Sequence, residues 1–168
     1  MISKFNLLYK ELCGEPQVSY DRFREIRHEL KHIGDFSDDL LKAVNEQLQK
    51  KNWGCLHRLI FVMQISPNKK YTEILCYLLS NHREQGFADA IADTLFDIKD
   101  EKAIPTLKNS LNYYEPGDDD FNFNKKVLYA LEEIKTINAF DAIKLALELK
   151  NDVIRETAKE ILERNNMV

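Results

Sequence analysis

Long apolar runs are missing from this 168-residue chain: its longest uncharged stretch, Leu59 to Asn68, covers ten residues, half of what a helix needs to cross a bilayer. Glycine and proline are scarce, five and four, which excludes collagen-like and low-complexity classes. With 44% hydrophobic residues the chain is also too apolar for disorder. The three cysteines, Cys13, Cys55 and Cys76, are odd in number and form no CxxC; neither a disulfide framework nor a zinc knuckle is expected. The first ten residues hold too short an apolar run for a signal peptide. These gaps predict a soluble, cytoplasmic protein of a reducing compartment with no membrane partner. The length suits one domain with a real core.

Charge is present but unevenly spread. The net charge is −4, yet residues 1–85 hold 13 Lys and Arg against 11 Asp and Glu, while residues 86–168 hold 11 against 17. An acidic C-terminal half repels phosphate backbones, so no nucleic-acid partner is expected. A basic protein would be steered toward that half by the same field.

A 3.6-residue apolar period runs through almost every segment. Phe5, Leu8, Tyr9 and Leu12 make a first stripe, ended by Gly14 and Pro16. Tyr20, Phe23, Ile26, Leu30 and Ile33 make a second, closed by Gly34. Ser37 reads as the N-cap of a third helix, with Asp38 and Asp39 at the positive end of its dipole. Trp53 to Ile65 is apolar nearly all round and is expected to be the most buried helix. Ser66 and Pro67 stop it, a helix around Tyr71 to Leu79 follows, and five more are placed near 86–98, 101–112, 122–136, 138–149 and 152–164. The predicted fold class is all-α, with about ten helices in a single domain over 1–168.

Internal repetition is the most informative feature. A shift of 36 residues sets Phe87, Ile91, Leu95, Ile98 and Lys99 on Phe123, Val127, Leu131, Ile134 and Lys135. The second helix of each pair keeps register, with Ala103, Ile104, Leu107 and Leu111 on Ala139, Phe140, Ile143 and Leu147. A further shift of 27 sets Val127, Leu131 and Ile134 on Ile154, Ala158 and Ile161. A two-helix unit repeated at this spacing buries its apolar face against its neighbours.

The run from Ala88 to Leu107 resembles a HEAT-like repeat of the short bacterial kind. It has a first helix rich in small residues, an acidic turn at Asp100 and Glu101, and an Ala-Ile-Pro-x-Leu entry to the second helix through Ala103, Ile104, Pro105 and Leu107. Asn124 to Leu147 is similar but carries Asp141 where the pattern has proline. The resemblance covers about residues 53–165, with 1–50 as divergent N-terminal helices, and it implies an α-α superhelix. It is specific for fold and weak for function, because the family includes scaffolds, lyase-type chaperones and DNA glycosylase-like enzymes. A small acidic member of this kind is also similar to bacterial immunity proteins, which neutralise a toxin domain by occluding it.

Three constellations carry residue types suited to chemistry. His28-Glu29-Leu30-Lys31-His32 is an HExxH, the spacing with which two His on adjacent turns hold zinc. The phase places both His opposite the stripe of Phe23, Ile26, Leu30 and Ile33, among Asp21, Arg24 and Asp35, which is a wet charged face and not a desolvated cleft. Asp118, Asp120, Asn122 and Asn124 alternate like the opening of an EF-hand loop, but Phe123 and Tyr129 stand where Gly and Glu are needed. Cys55 and His57 diverge on a helix, so buried apolar cysteines are expected.

Two surfaces suit a partner better. Asp89, Asp93 and Asp97 fall at i, i+4 and i+8 opposite the core stripe, and Asp152, Glu156 and Glu160 repeat the arrangement; the middle repeat interrupts it with Lys125 and Tyr129. Such a ladder is either a solvated face or a ridge that meets a cation-rich partner. The insertion at Tyr113, Tyr114, Asp118, Asp119, Asp120 and Phe121 sets aromatics beside carboxylates. It is either an interface loop, with aromatic anchors and acidic steering, or a lid in which Tyr113 and Phe121 fold back over the core. The resulting expectation is a non-enzymatic, monomeric protein-binding scaffold with no catalytic residues, cofactor or metal. Its partner is a basic protein, most specifically a toxin domain. An assembly adaptor, a HEAT-like DNA glycosylase and an HExxH metalloprotease are the alternatives.

Overall fold

The computed structural model describes residues 3–14, 17–113 and 121–167. Among them are ten α-helices and no strand, so the all-α expectation holds. The chain divides into two compact units, Met1–Tyr71 and Thr72–Val168.

The first unit holds α1 (Lys4–Leu12), α2 (Tyr20–Leu30), α3 (Ser37–Gln49) and α4 (Trp53–Met63), closed by a 3-10 turn at Lys69–Tyr71. Each of α1, α2 and α4 starts where a side chain satisfies an orphan N–H. Ser3, Ser19 and Asn52 accept from the backbone N–H of Asn6, Arg22 and Cys55, each at 3.2 Å. Helix α3 departs from the expected cap. Ser37 is its first, buried residue, and Phe36 occupies the cap position. The reason lies two residues upstream, where the Asp35 carboxylate accepts the Ser37 N–H at 2.9 Å and does the capping work instead.

Of the predicted apolar stripes, Phe5, Leu8, Leu12, Ile26, Leu30, Leu40 and Val44 are buried, whereas Phe23 and Ile33 are half-buried and Tyr20, placed on the second stripe, is 75% exposed because it begins its helix at the surface. Helix α4 is buried on one side only. Cys55, Leu56, Leu59, Ile60, Val62 and Met63 are fully enclosed, whereas Trp53, His57, Arg58 and Phe61 reach the surface. Helix α4 is not the most buried helix as expected, with six of its eleven residues buried against seven of eleven in Ala88–Ile98, because His57 and Arg58 keep polar ends at the edge.

Cys13, at the C-cap of α1, is disulfide-bonded to Cys55 in the first turn of α4, with Cα atoms 5.2 Å apart. That separation lies in the range a disulfide requires, and the bond overturns the expectation of free cysteines. Counting parity misled: the third cysteine, Cys76, is a half-buried bystander in the other unit. Gly14 lets the chain leave α1 directly after the bond, since a Cβ there would meet the Lys10 carbonyl at 2.7 Å.

The second unit holds α5 (Thr72–Asn81), α6 (Ala88–Ile98), α7 (Ile104–Ser110), α8 (Asn122–Ile134), α9 (Ile137–Leu145) and α10 (Asp152–Arg164). Helix α6 packs on α8, and α8 packs in turn on α7, α9 and α10. The repeat register reappears as burial: Ile91, Val127 and Ile154 are all enclosed, as are Leu95, Leu131 and Ala158, and Ile98, Ile134 and Ile161. Each such Leu or Ile contributes about 1.5–3 kcal/mol through burial. The repeated lysines coincide too. Lys99 and Lys135 both end their helices in the left-handed region, at φ 55° and 58°. The last pair parts company, with Leu111 buried and Leu147 36% exposed, because α9 gives way to a 3-10 turn at Ala146–Glu148 that rotates its final residues. Buried Asp100 ties the turn after α6 to the start of α5. Its carboxylate accepts the Thr72 hydroxyl at 2.8 Å and the Lys102 N–H at 3.2 Å.

Candidate functional site

The acidic ladder lies on the outer face of the second unit, and the structure divides it in two. At its start, the Lys126 ammonium of α8 sits 2.9 Å from both Asp89 and Asp93 of α6. Partial burial works against that ammonium, but the two carboxylates prevail and hold its pKa above the usual lysine value. Similar crosslinks consume neighbouring charges: Glu133 pairs with Lys99, and Glu132 with Arg164 and Asn165. Burial alone would raise the Glu132 carboxyl, yet Arg164 and Asn165 together bring it below the ordinary value. On α10, Asp152 is taken by Arg155. Asp97, Glu156 and Glu160 are different. They are exposed and form no ion pair among the described residues. The unit as a whole carries 12 Lys and Arg against 19 Asp and Glu.

Of the insertion, Tyr114, Asp118, Asp119 and Asp120 lie outside the described residues, as does the opening of the EF-like pattern. Tyr113 turns inward. Its ring meets core Phe123 edge-on at 5.9 Å, and the Arg83 guanidinium covers it at 4.5 Å. Phe121, half-buried, precedes α8 in a left-handed conformation at φ 53°. Asn124 is 1% exposed, and its amide donates to the carbonyls of Leu111 and Tyr113 at 3.1 and 3.0 Å. It is a clamp on the hairpin's own backbone, a role that spacing gave no means of seeing.

Sequence reasoning passed over an open groove between α7 and α9, about 490 Å³ in volume and lined by Ile104, Pro105, Lys108, Asn138, Asp141 and Leu145. Beside it Ile137 is 73% exposed. The available signal was that Ile137 and Leu145 fall outside the stripe of Ala139, Ala142 and Ile143.

The remaining candidates resolve on local geometry. His28 and His32 are exposed on adjacent turns with ring centroids 4.9 Å apart. The Glu29 between them is bound by Arg22 at 2.9 Å, so its carboxylate is already occupied as an acceptor. Burial pushes the Cys76 thiol up, away from the reactive thiolate. Burial and neighbouring Arg58 push His57 down, which favours a neutral imidazole stacked on Phe61 at 5.0 Å. No group of three His, Cys, Asp or Glu among the described residues converges as metal ligands, and no helix there is long and apolar enough to cross a membrane. Compared with known proteins, the chain matches no protein-family model and none of the curated proteins.

Proposed function

We propose that this chain is a protein-binding scaffold of the HEAT-like kind that works by covering its partner, most specifically an immunity protein that captures a basic toxin domain. The observation that carries the reading is the imbalance of the second unit. Nineteen carboxylates face twelve cations there, and Asp97, Glu156 and Glu160 stand exposed without an ion pair. Such a field raises the encounter rate with a basic protein, and rigid helical hairpins lose little freedom on docking. In this reading Asp89 and Asp93 hold the repeats together through Lys126 and contribute less to steering. The insertion, with Asp118, Asp119 and Asp120, supplies the rest of the charge. The scaffold acts as a monomer in the cytoplasm and performs no chemistry of its own.

The cytoplasmic part of the reading meets opposition from Cys13–Cys55, because disulfides persist chiefly in oxidising compartments. Alkylating thiols at the moment of cell lysis and weighing the protein decides between a bonded and a dithiol state. The capture itself is tested by co-expressing the chain with the product of its neighbouring gene. Protection and a co-purifying complex are expected, and Asp97→Lys/Glu156→Lys/Glu160→Lys should cut the association rate by about tenfold. Protection without a complex, or a rate that ignores the reversal, sinks the proposal.

A further inference from the structure

Helix α2 is charge-segregated around its own axis. At 100° per residue, Tyr20, Arg24 and Lys31 fall within about 60° of Arg27, while Asp21, Glu25 and Glu29 fall roughly 120–200° away. The acidic edge is knitted together: Arg22 donates to Glu11 of α1 at 2.5 Å, to Glu25 at 3.0 Å and to Glu29 at 2.9 Å. The basic edge is not. Arg24, Arg27 and Lys31 form no ion pair among the described residues.

That basic edge borders α4 and is faced with rings. The Arg27 guanidinium lies 5.9 and 6.0 Å from the ring centroids of Phe23 and Phe61, and its Nε is buried with no acceptor. Arg24 lies over Tyr20, whose own exposure is 75%. From Gln47 to Thr72, the stretch that contains α4, there are five Lys and Arg and not one Asp or Glu, with Lys50 and Lys70 paired to Glu46 and Asp38 outside it. The terminal N–H groups of a guanidinium framed by aromatics, with no carboxylate engaging them, suit an anion that brings its own flat rings.

We propose that this α2–α4 edge binds single-stranded nucleic acid, with Arg24, Arg27 and Lys31 on successive phosphates and Tyr20 as the platform for a base. Two observations favour this occupant over an acidic protein segment. The three cations are spread along the axis at steps of about 4.5 and 6 Å, from the 1.5 Å rise per residue, which follows a backbone better than it clamps one carboxylate. The Tyr20 ring is also open to solvent at 75% exposure, whereas aromatic anchors of protein interfaces seat in pockets. The acidity that argued against nucleic acid belongs to the C-terminal half, whereas the first unit carries 12 Lys and Arg against 9 Asp and Glu. The inference uses no residue of the protein-capture surface.

The test is fluorescence anisotropy of the whole chain with an end-labelled oligothymidylate of about twelve nucleotides, starting near 50 mM salt. Salt-sensitive binding is expected, with a log–log slope near −2 for three phosphates. Arg24→Ala/Arg27→Ala/Lys31→Ala should flatten that slope and weaken binding by about tenfold or more. Tyr20→Ala should weaken it by about tenfold and leave the slope intact. Lys108→Ala, in the other unit, should change nothing, and circular dichroism checks that each variant is folded. No binding by the wild type overturns the proposal, as does binding that survives the triple variant. Displacement by an equal concentration of oligoglutamate also overturns it and reassigns the edge to an acidic protein segment. Because Tyr20, Arg24, Arg27 and Lys31 all lie in the first unit, failure here leaves the capture reading standing.

Discussion

The two units solve the same problem, burying helices, by different means. The second repeats one hairpin with matching positions in its copies, the core residues described above and the left-handed lysines Lys99 and Lys135, and adds a single Lys126 crosslink between α6 and α8. The first does not repeat. It relies on one-off devices instead, the Cys13–Cys55 bond, the Gln47 amide donating to Tyr9 at 2.5 Å, and the Arg22 cluster. Their charge differs to match, with 12 cations against 9 anions in the first unit and 12 against 19 in the second. A repeat gives regularity, so its outer face can hold a long run of one sign. A one-off packing has no such register, and its charges segregate by helix edge.

The largest expected effect tests whether the second unit is truly periodic. Phe87 and Phe123 are each fully buried one repeat apart. Phe87→Ala and Phe123→Ala should each cost about 3–5 kcal/mol, and by nearly equal amounts, in urea unfolding followed by circular dichroism. A large inequality would show that the two hairpins are not equivalent environments, and the contrast between units would lose its basis.

Next in size is the device that sets the first unit apart. The disulfide closes a separation of 42 residues, for which chain entropy gives stabilisation of about 2–4 kcal/mol. Cys13→Ser/Cys55→Ser should remove that much from the first unit alone. Trp53 is the chain's one tryptophan and sits two residues from Cys55, so its fluorescence follows the first unit specifically. Reductant should shift the wild-type Trp53 transition to that of the double variant. If it moves nothing, the two sulfurs are not bonded in solution.

The helices of the second unit were legible because periodicity and repetition report the same thing twice. Ile91, Leu95 and Ile98 announce a buried stripe, and Val127, Leu131 and Ile134 confirm it. Partnerships across space were not legible. Nothing in spacing tells that Cys13 finds Cys55, that Asp35 displaces Ser37 as a cap, or that Asn124 turns inward to two carbonyls. The acidic ladder was visible as a row of carboxylates. Its partial neutralisation was not, because Lys126 lies 33 residues from Asp93 and one helix position off the compared register. Charge summed over halves likewise hid the basic edge of α2, since a sum has no direction.

The smallest expected effect concerns that neutralisation, and it separates the structural from the functional role of the ladder. Lys126 is 32% exposed and its partners Asp89 and Asp93 are 51% and 46% exposed, so solvent screens the pair and Lys126→Met should cost about 1 kcal/mol or less. Methionine keeps most of the apolar stem that packs between α6 and α8. It also frees both carboxylates, making the second unit more acidic by one charge. If the ladder steers basic partners, association with a labelled oligolysine peptide in low salt should quicken by about twofold, with the gain vanishing as salt is raised past the screening length. A loss of several kcal/mol with no change in association would mean that Asp89 and Asp93 exist to hold Lys126. The repeats would then be ionic staples throughout, and only Asp97, Glu156 and Glu160 would remain to meet a partner.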